Sequence, residues 1–336
     1  MFGDFYGFTG KPFQLTPDPA LYFQGASHRK ALSYLGYGLT QGEGFVVITG
    51  EAGTGKSILA AHLAATIDPR QLTAAQAIGG KLDEEEMVCL IAQSFGLGVR
   101  GHSKAGALGV IERFLYDEAR AGRRCLLIVD EAQHLPLAAI DELRMLANFQ
   151  LGGRALLQVL LLGLPEFRTT LQGHPRLEQR VIAADHLEPL GQAEIEPYVV
   201  HRLKLAGWDG DPKFDKQVFA GLFEASSGIP RHINQIANRL LLLGAVEQSG
   251  RIDAALLKTV LDEMAAEKAI PQATVPETDL KTIDQRLAER DAQIAMLHAQ
   301  LARLEGKAFE HERTIRHTLE MLIDWIEGET EQTKAA

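Results

Sequence analysis

The run Gly50-Glu51-Ala52-Gly53-Thr54-Gly55-Lys56-Ser57 has the spacing GxxxxGK[ST]. Residues of these types in this order suit one chemistry well: holding the phosphates of a nucleotide. The glycines let backbone N–H groups converge on phosphate oxygens, where a Cβ would block the approach or forbid the dihedral. Lys56 is then placed to neutralise the β- and γ-phosphates, and the Ser57 hydroxyl to ligate Mg²⁺. A helix expected to open near Ser57 adds the positive end of its dipole.

A second cluster lies about 75 residues downstream, in Cys125-Leu126-Leu127-Ile128-Val129-Asp130-Glu131. A carboxylate at the carboxyl end of a buried strand points toward the crevice where phosphates bind. Asp130 is expected to hold Mg²⁺ through water, and Glu131 to polarise an attacking water. Two arginines complete the set. Arg231, in Gly228-Ile229-Pro230-Arg231, is expected to reach the γ-phosphate from within the same subunit. Arg180 precedes the last expected strand and is a candidate finger into a neighbouring subunit's nucleotide, with Arg176 as its substitute.

Such groups need a rigid frame. Phe45–Thr49 is an unbroken apolar run between Gly44 and Gly50, as a strand buried on both faces requires. Further strands are expected at Thr73–Ile78, Cys125–Val129, Leu156–Leu162 and Ala183–Leu187. Between them, Ser57–Ile67, Asp83–Phe95, Ala107–Ala121 and Ala139–Asn148 read as helices. Strand–helix alternation at this spacing predicts a parallel sheet sandwiched by helices, an α/β P-loop NTPase fold over 28–190. Residues 191–265 keep only 3.6-residue periodicity, so a small all-helical lid without strands is expected there.

The flanks differ from this frame. Residues 1–27 concentrate aromatic side chains between Pro12, Pro17 and Pro19, which predicts an ordered wrapping arm rather than a helix. Its expected place is near an adenine or, equally, in the core. Residues 266–279 read as a linker. From Leu280 to Trp325 a 3-4 spacing continues without a slip, apolar at every seam position except Arg290, His311 and Thr318. That pattern predicts a long coiled-coil helix over 280–327, pairing with itself or a partner helix, and a tail over 328–336.

The 34 Lys+Arg against 44 Asp+Glu give a formal charge of −10, which argues against blanket coating of nucleic acid. Arg113, Arg120, Arg123 and Arg124 form the one basic cluster noted, read as a solvated helix end. Cys89 and Cys125 have neither CxxC nor zinc spacing, and are read as reduced core thiols. The first residues lack a basic stretch followed by an apolar one, and no apolar run has the ~18–20 residues that span a bilayer. A cytoplasmic location is expected.

The order of phosphate loop, Asp-Glu strand, pre-strand arginine and Gly-x-Pro-Arg resembles an AAA+ ATPase of the initiator-like clade. More narrowly, Phe5-Tyr6-Gly7-Phe8, Lys11-Pro12-Phe13, Thr16-Pro17-Asp18-Pro19, Ser27-His28 and Asp130-Glu131-Ala132-Gln133-His134-Leu135 resemble the ExeA/GspA group of secretion ATPases. So does Glu142-Leu143-Arg144-Met145-Leu146-Ala147-Asn148-Phe149. Pro165-Glu166-Phe167-Arg168, Gln179-Arg180-Val181-Ile182-Ala183, Gly207-Trp208-Asp209-Gly210-Asp211-Pro212 and the ending Leu322-Ile323-Asp324-Trp325-Ile326-Glu327 are similar to the branch associated with exosortase/PEP-CTERM and exopolysaccharide loci. The resemblance covers about 1–265.

It implies an ATP- and Mg²⁺-using enzyme that assembles into homo-oligomers and serves envelope export or polysaccharide assembly. The C-terminal helix would meet a partner, and contact with the inner membrane would be indirect, through that partner. One position departs from the pattern: Gly163-Leu164-Pro165 places an apolar side chain where the group carries a Gln that touches the γ-phosphate. Two other functions stand beside this expectation. One is a transposition or initiation regulator that binds duplex DNA. The other is a nucleotide-controlled scaffold that hydrolyses slowly or not at all.

Overall fold

The computed structural model describes residues 2–99 and 101–269. Five strands form the central parallel sheet: β1 Phe45–Gly50, β2 Leu72–Ile78, β3 Arg124–Asp130, β6 Leu157–Gly163 and β7 Val181–Leu187, in the order β2-β3-β6-β1-β7. Between β3 and β6 a two-residue hairpin intervenes, β4 Gln150–Leu151 and β5 Arg154–Ala155, which the sequence patterns did not predict. Helices cover both faces: α2 Ala26–Gln41, α3 Lys56–Thr66, α4 Glu84–Ser94, α5 Lys104–Arg120, α6 Leu137–Leu146, α7 Pro165–Gln172 and the short α8 Pro175–Glu178 follow a four-residue α1 at Phe2–Phe5.

The sheet sorts its side chains by parity, as a pleated strand must. Phe45, Val47, Leu127, Val129, Val159 and Leu161 join one buried cluster with residues of α4 to α7. Their neighbours Val46, Ile48, Leu126, Ile128, Leu160 and Leu162 join a second, with Leu35 of α2 and Leu59 of α3. Both faces are dry, so these strands are apolar throughout. The exception in β6 is Gln158, buried but donating to the Gly38 carbonyl at 2.6 Å and to that of Glu43 at 3.3 Å. Helix starts follow local chemistry: Asp83 and Glu86 close a reciprocal capping box at α4.

Beyond the sheet run α9 Gln192–Leu205, α10 Lys216–Ser226, α11 Pro230–Val246 and α12 Ala254–Ala269. Two corrections arise here. The region does contain strand: β8 Lys213–Phe214 and β9 Arg251–Ile252 pair in parallel, too short for a periodic pattern to reveal. Helix α12 also continues to Ala269, so helix occupies the first residues assigned to the 266–279 linker. The rest of the linker, the coiled coil and the tail lie outside the described residues.

The arm packs into the core, the second of its two expected places. Tyr6 and Phe13 are buried in the core of α9 to α12, together with Ile195, Leu203, Ile236 and Leu240. The arm is not free of helix, since α1 and a single 3-10 turn at Pro19–Leu21 punctuate it. Among the described residues, no helix is long and apolar enough to cross a membrane. Both cysteines are free, Cys125 buried and Cys89 half-buried.

Candidate nucleotide site

The carboxyl ends of β1, β3 and β6 meet a cavity of about 380 Å³. Its lining includes Gly53, Lys56, Ser57, Glu131, Gln133 and Arg231. The sheet order explains the meeting: β6 separates β1 from β3, so the loop after β1 faces the acidic end of β3 across one strand. The loop itself runs from Gly50 to the start of α3 at Lys56. Gly53 and Gly55 have φ of +89° and +106°, a region that side chains rarely enter. A Cβ on Gly53 would also lie 2.6 Å from Cβ of Arg231, and one on Gly55 2.8 Å from Nε2 of His28. Thr54 is buried and its hydroxyl donates to the Glu51 carbonyl at 2.9 Å, bracing the turn.

Lys56 is buried, and its ammonium donates to the carbonyls of Gly50 at 2.7 Å and Glu51 at 3.0 Å. Burial pulls its pKa down, while Glu131, Asp130 and Glu51 oppose that pull. The Ser57 hydroxyl donates to Oδ2 of Asp130 at 2.5 Å. Oδ1 of the same carboxylate accepts the Glu131 N–H at 2.9 Å. Ser57 and Asp130 thus present paired hard oxygen donors one residue from a lysine, a donor set that fits Mg²⁺ beside phosphate. Glu131 has φ +54° and a half-exposed side chain, so its carboxylate turns away from the sheet into the cavity rim.

Arg231 joins this group. Its backbone N–H donates to the Gly53 carbonyl at 3.2 Å at the start of α11, so the helical region is docked on the phosphate loop. Arg180 does not join it. It precedes β7, its carbonyl accepts the Phe45 N–H at 2.7 Å, and its guanidinium donates to Asn148. Phe45 begins β1 whereas Gly50 ends it, so Arg180 stands about 17 Å of strand from the loop. Arg176 is exposed nearby.

Several further groups line or support the cavity from outside the phosphate-binding motifs. Gln14, Leu15, Thr16 and Pro17 of the arm form one wall. Arg202 secures that wall: buried to 3% exposure, it donates to the carbonyls of Pro12 at 2.7 Å, Gln14 at 3.0 Å and Leu21 at 3.4 Å. The Tyr198 hydroxyl donates to Oδ1 of Asn234 at 2.7 Å, both residues lining the cavity. His28 packs under Gly55, and burial lowers its pKa to about 4, so it is neutral. In the basic cluster Arg123 pairs with Glu118 at 2.5 Å and Arg124 donates to the Leu39 carbonyl, whereas Arg113 and Arg120 are exposed and make only loose contacts with Asp117. A wider, open groove of about 790 Å³ adjoins the site at His134, lined by Lys81, Asp83, Glu84 and Lys104, without a phosphate loop of its own.

Comparison with known proteins follows the same lines. Residues 39–171 match the AAA domain family. Over 256 residues, 75% of this chain, the sequence is 35% identical to General secretion pathway protein A of Aeromonas hydrophila. The chain spans about half the length of that relative, 46% of which is matched. Among solved structures, the ORC2 protein of Aeropyrum pernix in its ADPNP–ADP complexes is similar with a TM-score of 0.60 at 17% identity, over 75% of this chain and 71% of that one. Cdc6p of Pyrobaculum aerophilum gives 0.61 at 14% identity, over 75% and 70%. At such identities these two likenesses establish the fold. With a phosphate loop, an Asp-Glu strand end and this sheet order, the chain has a parallel-sheet P-loop NTPase fold in which residues 39–171 are similar to the AAA domain, and three quarters of its length is similar to General secretion pathway protein A.

Proposed function

We propose that the chain is a Mg²⁺-dependent ATPase that works as a homo-oligomer in an envelope export system. The observation that carries this is the convergence of Lys56, the Ser57–Asp130 pair, Glu131 and Arg231 on one cavity. In this reading the loop N–H groups and Lys56 bind the phosphates. Ser57 and Asp130 hold the metal, which when bound neutralises charge on the transferred phosphoryl group. Glu131 orients the attacking water. Arg231 couples the γ-phosphate to the helical region through its backbone bond to Gly53. Arg180, remote from its own cavity, would serve the nucleotide of a neighbouring copy.

The secretion role rests on the similarity to General secretion pathway protein A, and the finer assignment to exosortase-associated exopolysaccharide export on the sequence motifs alone. A cytoplasmic site of action, with contact to the inner membrane through a partner bound by the C-terminal repeat, belongs to the same proposal. A DNA-binding regulator is less favoured, because the formal charge is −10 and the basic cluster lies among carboxylates, with Asp117 beside Arg113 and Arg120 and Glu118 paired to Arg123.

The test is ATP turnover by the purified protein over a range of its own concentration, with and without duplex DNA. A specific rate that rises with concentration and ignores DNA is expected. A rate that requires DNA would move the function to a regulator, and bound ATP without turnover would move it to a scaffold. Glu131→Gln should lower turnover about 10²–10⁴-fold while leaving ATP bound.

A further inference from the structure

The acid at the end of β3 is poorly restrained by its own backbone. Glu131 sits in the left-handed region and its side chain is 46% exposed. Nε2 of His134 is 3.9 Å away, beyond hydrogen-bond range. The described hydrogen bond to its carboxylate comes from the side-chain amide of Gln133, two residues on in the 3-10 turn Ala132–His134. The same amide is fixed at its other end: Oε1 accepts the N–H of Leu164 at 3.1 Å. Chemistry leaves one orientation of this amide. An ionised carboxylate only accepts and a backbone N–H only donates, so nitrogen must face Glu131 and oxygen must face Leu164.

Leu164 directly follows β6 and caps α7, yet its own side chain offers no polar atom to the cavity. Gln133 lines that cavity together with Lys56, Glu131 and Arg231. A polar group from the end of β3 therefore occupies the ground between the ends of β3 and β6 that Leu164 does not serve.

We infer that Gln133 is the positioning residue for Glu131, its amide tying the water-orienting carboxylate to the end of β6. This deepens the ATPase reading and rests on it. A carboxylate swinging on its own rotamers loses alignment with the attacking water, and a displacement of about 1 Å at a reacting centre costs on the order of 10²-fold. The holding is done through Gln133 by the backbone N–H of Leu164 and asks nothing of the side chain there.

Two variants test this, each measured for kcat, KM and equilibrium binding of ATP. Gln133→Leu keeps the size but removes both bonds; kcat should fall about 10–100-fold with KM and ATP affinity nearly unchanged. Gln133→Asn keeps the amide but shortens its reach by one methylene, so the two ends are no longer bridged together; kcat should fall to between the wild-type and Gln133→Leu values, again with KM and affinity nearly unchanged. Should Gln133→Leu fail to fold, the kcat-against-KM split of Gln133→Asn carries the test. Wild-type kcat in either variant, or a loss expressed in KM and affinity alone, would overturn the inference. Those results with an active wild type leave Glu131 in place, whereas a wild type that binds ATP without cleaving it overturns both readings.

Discussion

Arg202 offers a quantitative check on how the cavity wall is built. Its guanidinium is 3% exposed and is aimed at three carbonyls of the arm rather than at a carboxylate. Burial pulls its pKa down, countered by Tyr198 and Asp18, and Tyr198 also lies 6.0 Å below the cation. Two of the three bonds, at 2.7 and 3.0 Å, are of full strength, and the third, at 3.4 Å, is marginal. Bonds from a charged donor are worth about 1.5–3 kcal/mol each, so two of them give about 3–6 kcal/mol before the cost of burying the cation. With that cost set against it, and with carbonyls left unpaired in the variant, Arg202→Ala should destabilise by about 2–4 kcal/mol. For a domain of this size that is about 5–15 °C in Tm. Urea unfolding measures the loss, and limited proteolysis should show the arm becoming cleavable between Pro12 and Leu21. ATP should bind more weakly, because Gln14 to Pro17 no longer form a fixed wall. Arg202→Lys retains the charge without the fork and should fall between the two. A loss below about 0.5 kcal/mol with an unchanged cleavage pattern would refute the clasp.

Two further outcomes follow from titratable groups in the sheet domain. Glu118 bonds to Arg123, and this hydrogen bond holds its pKa below the usual carboxylate range against an opposing burial effect, with Thr73 also donating. A depressed pKa contributes stability above the unfolded value that disappears as pH falls through the folded one; Glu118→Gln should thus be less stable than wild type at pH 7, and urea unfolding should show the gap closing below about pH 4.5. Cys125 is buried and its thiol is pushed up to about 12, chiefly by burial, so a thiol reagent at pH 8 should modify Cys89 alone in the native protein and both cysteines in denaturant.

What could be read from the sequence was whatever repeats along it. Strands β1, β3 and β6 show as apolar runs because both faces of each are buried, and α9 to α11 show as periodic stripes because one face of each is. The phosphate loop was legible because its residues are contiguous. Groups assembled across the fold were not. Gln133 could be seen beside Glu131, but its second partner, Leu164, is 31 residues away, and the contact exists only because β3 and β6 are neighbours. Arg202 looked like an ordinary basic residue on a helix, since its partners lie 181 to 190 residues earlier. The pairing of β8 with β9 involves two residues on each side, too few for alternation to register.

The way the arm closes the molecule has a consequence for synthesis. Tyr6 donates to the Ser249 carbonyl across 243 residues, and Phe13 packs with side chains of α9 to α12. During translation at about 5–20 residues per second, the arm leaves the ribosome about 10–50 s before the last of these partners. Through that interval Tyr6 and Phe13 have no native surface to cover them, while Tyr22 can already pack on the assembling sheet domain. Docking of Tyr6 and Phe13 must therefore await α9 to α12, made long after them. Nascent chains stalled before α11 should accordingly hold a protease-resistant sheet domain behind an exposed, aggregation-prone aromatic arm.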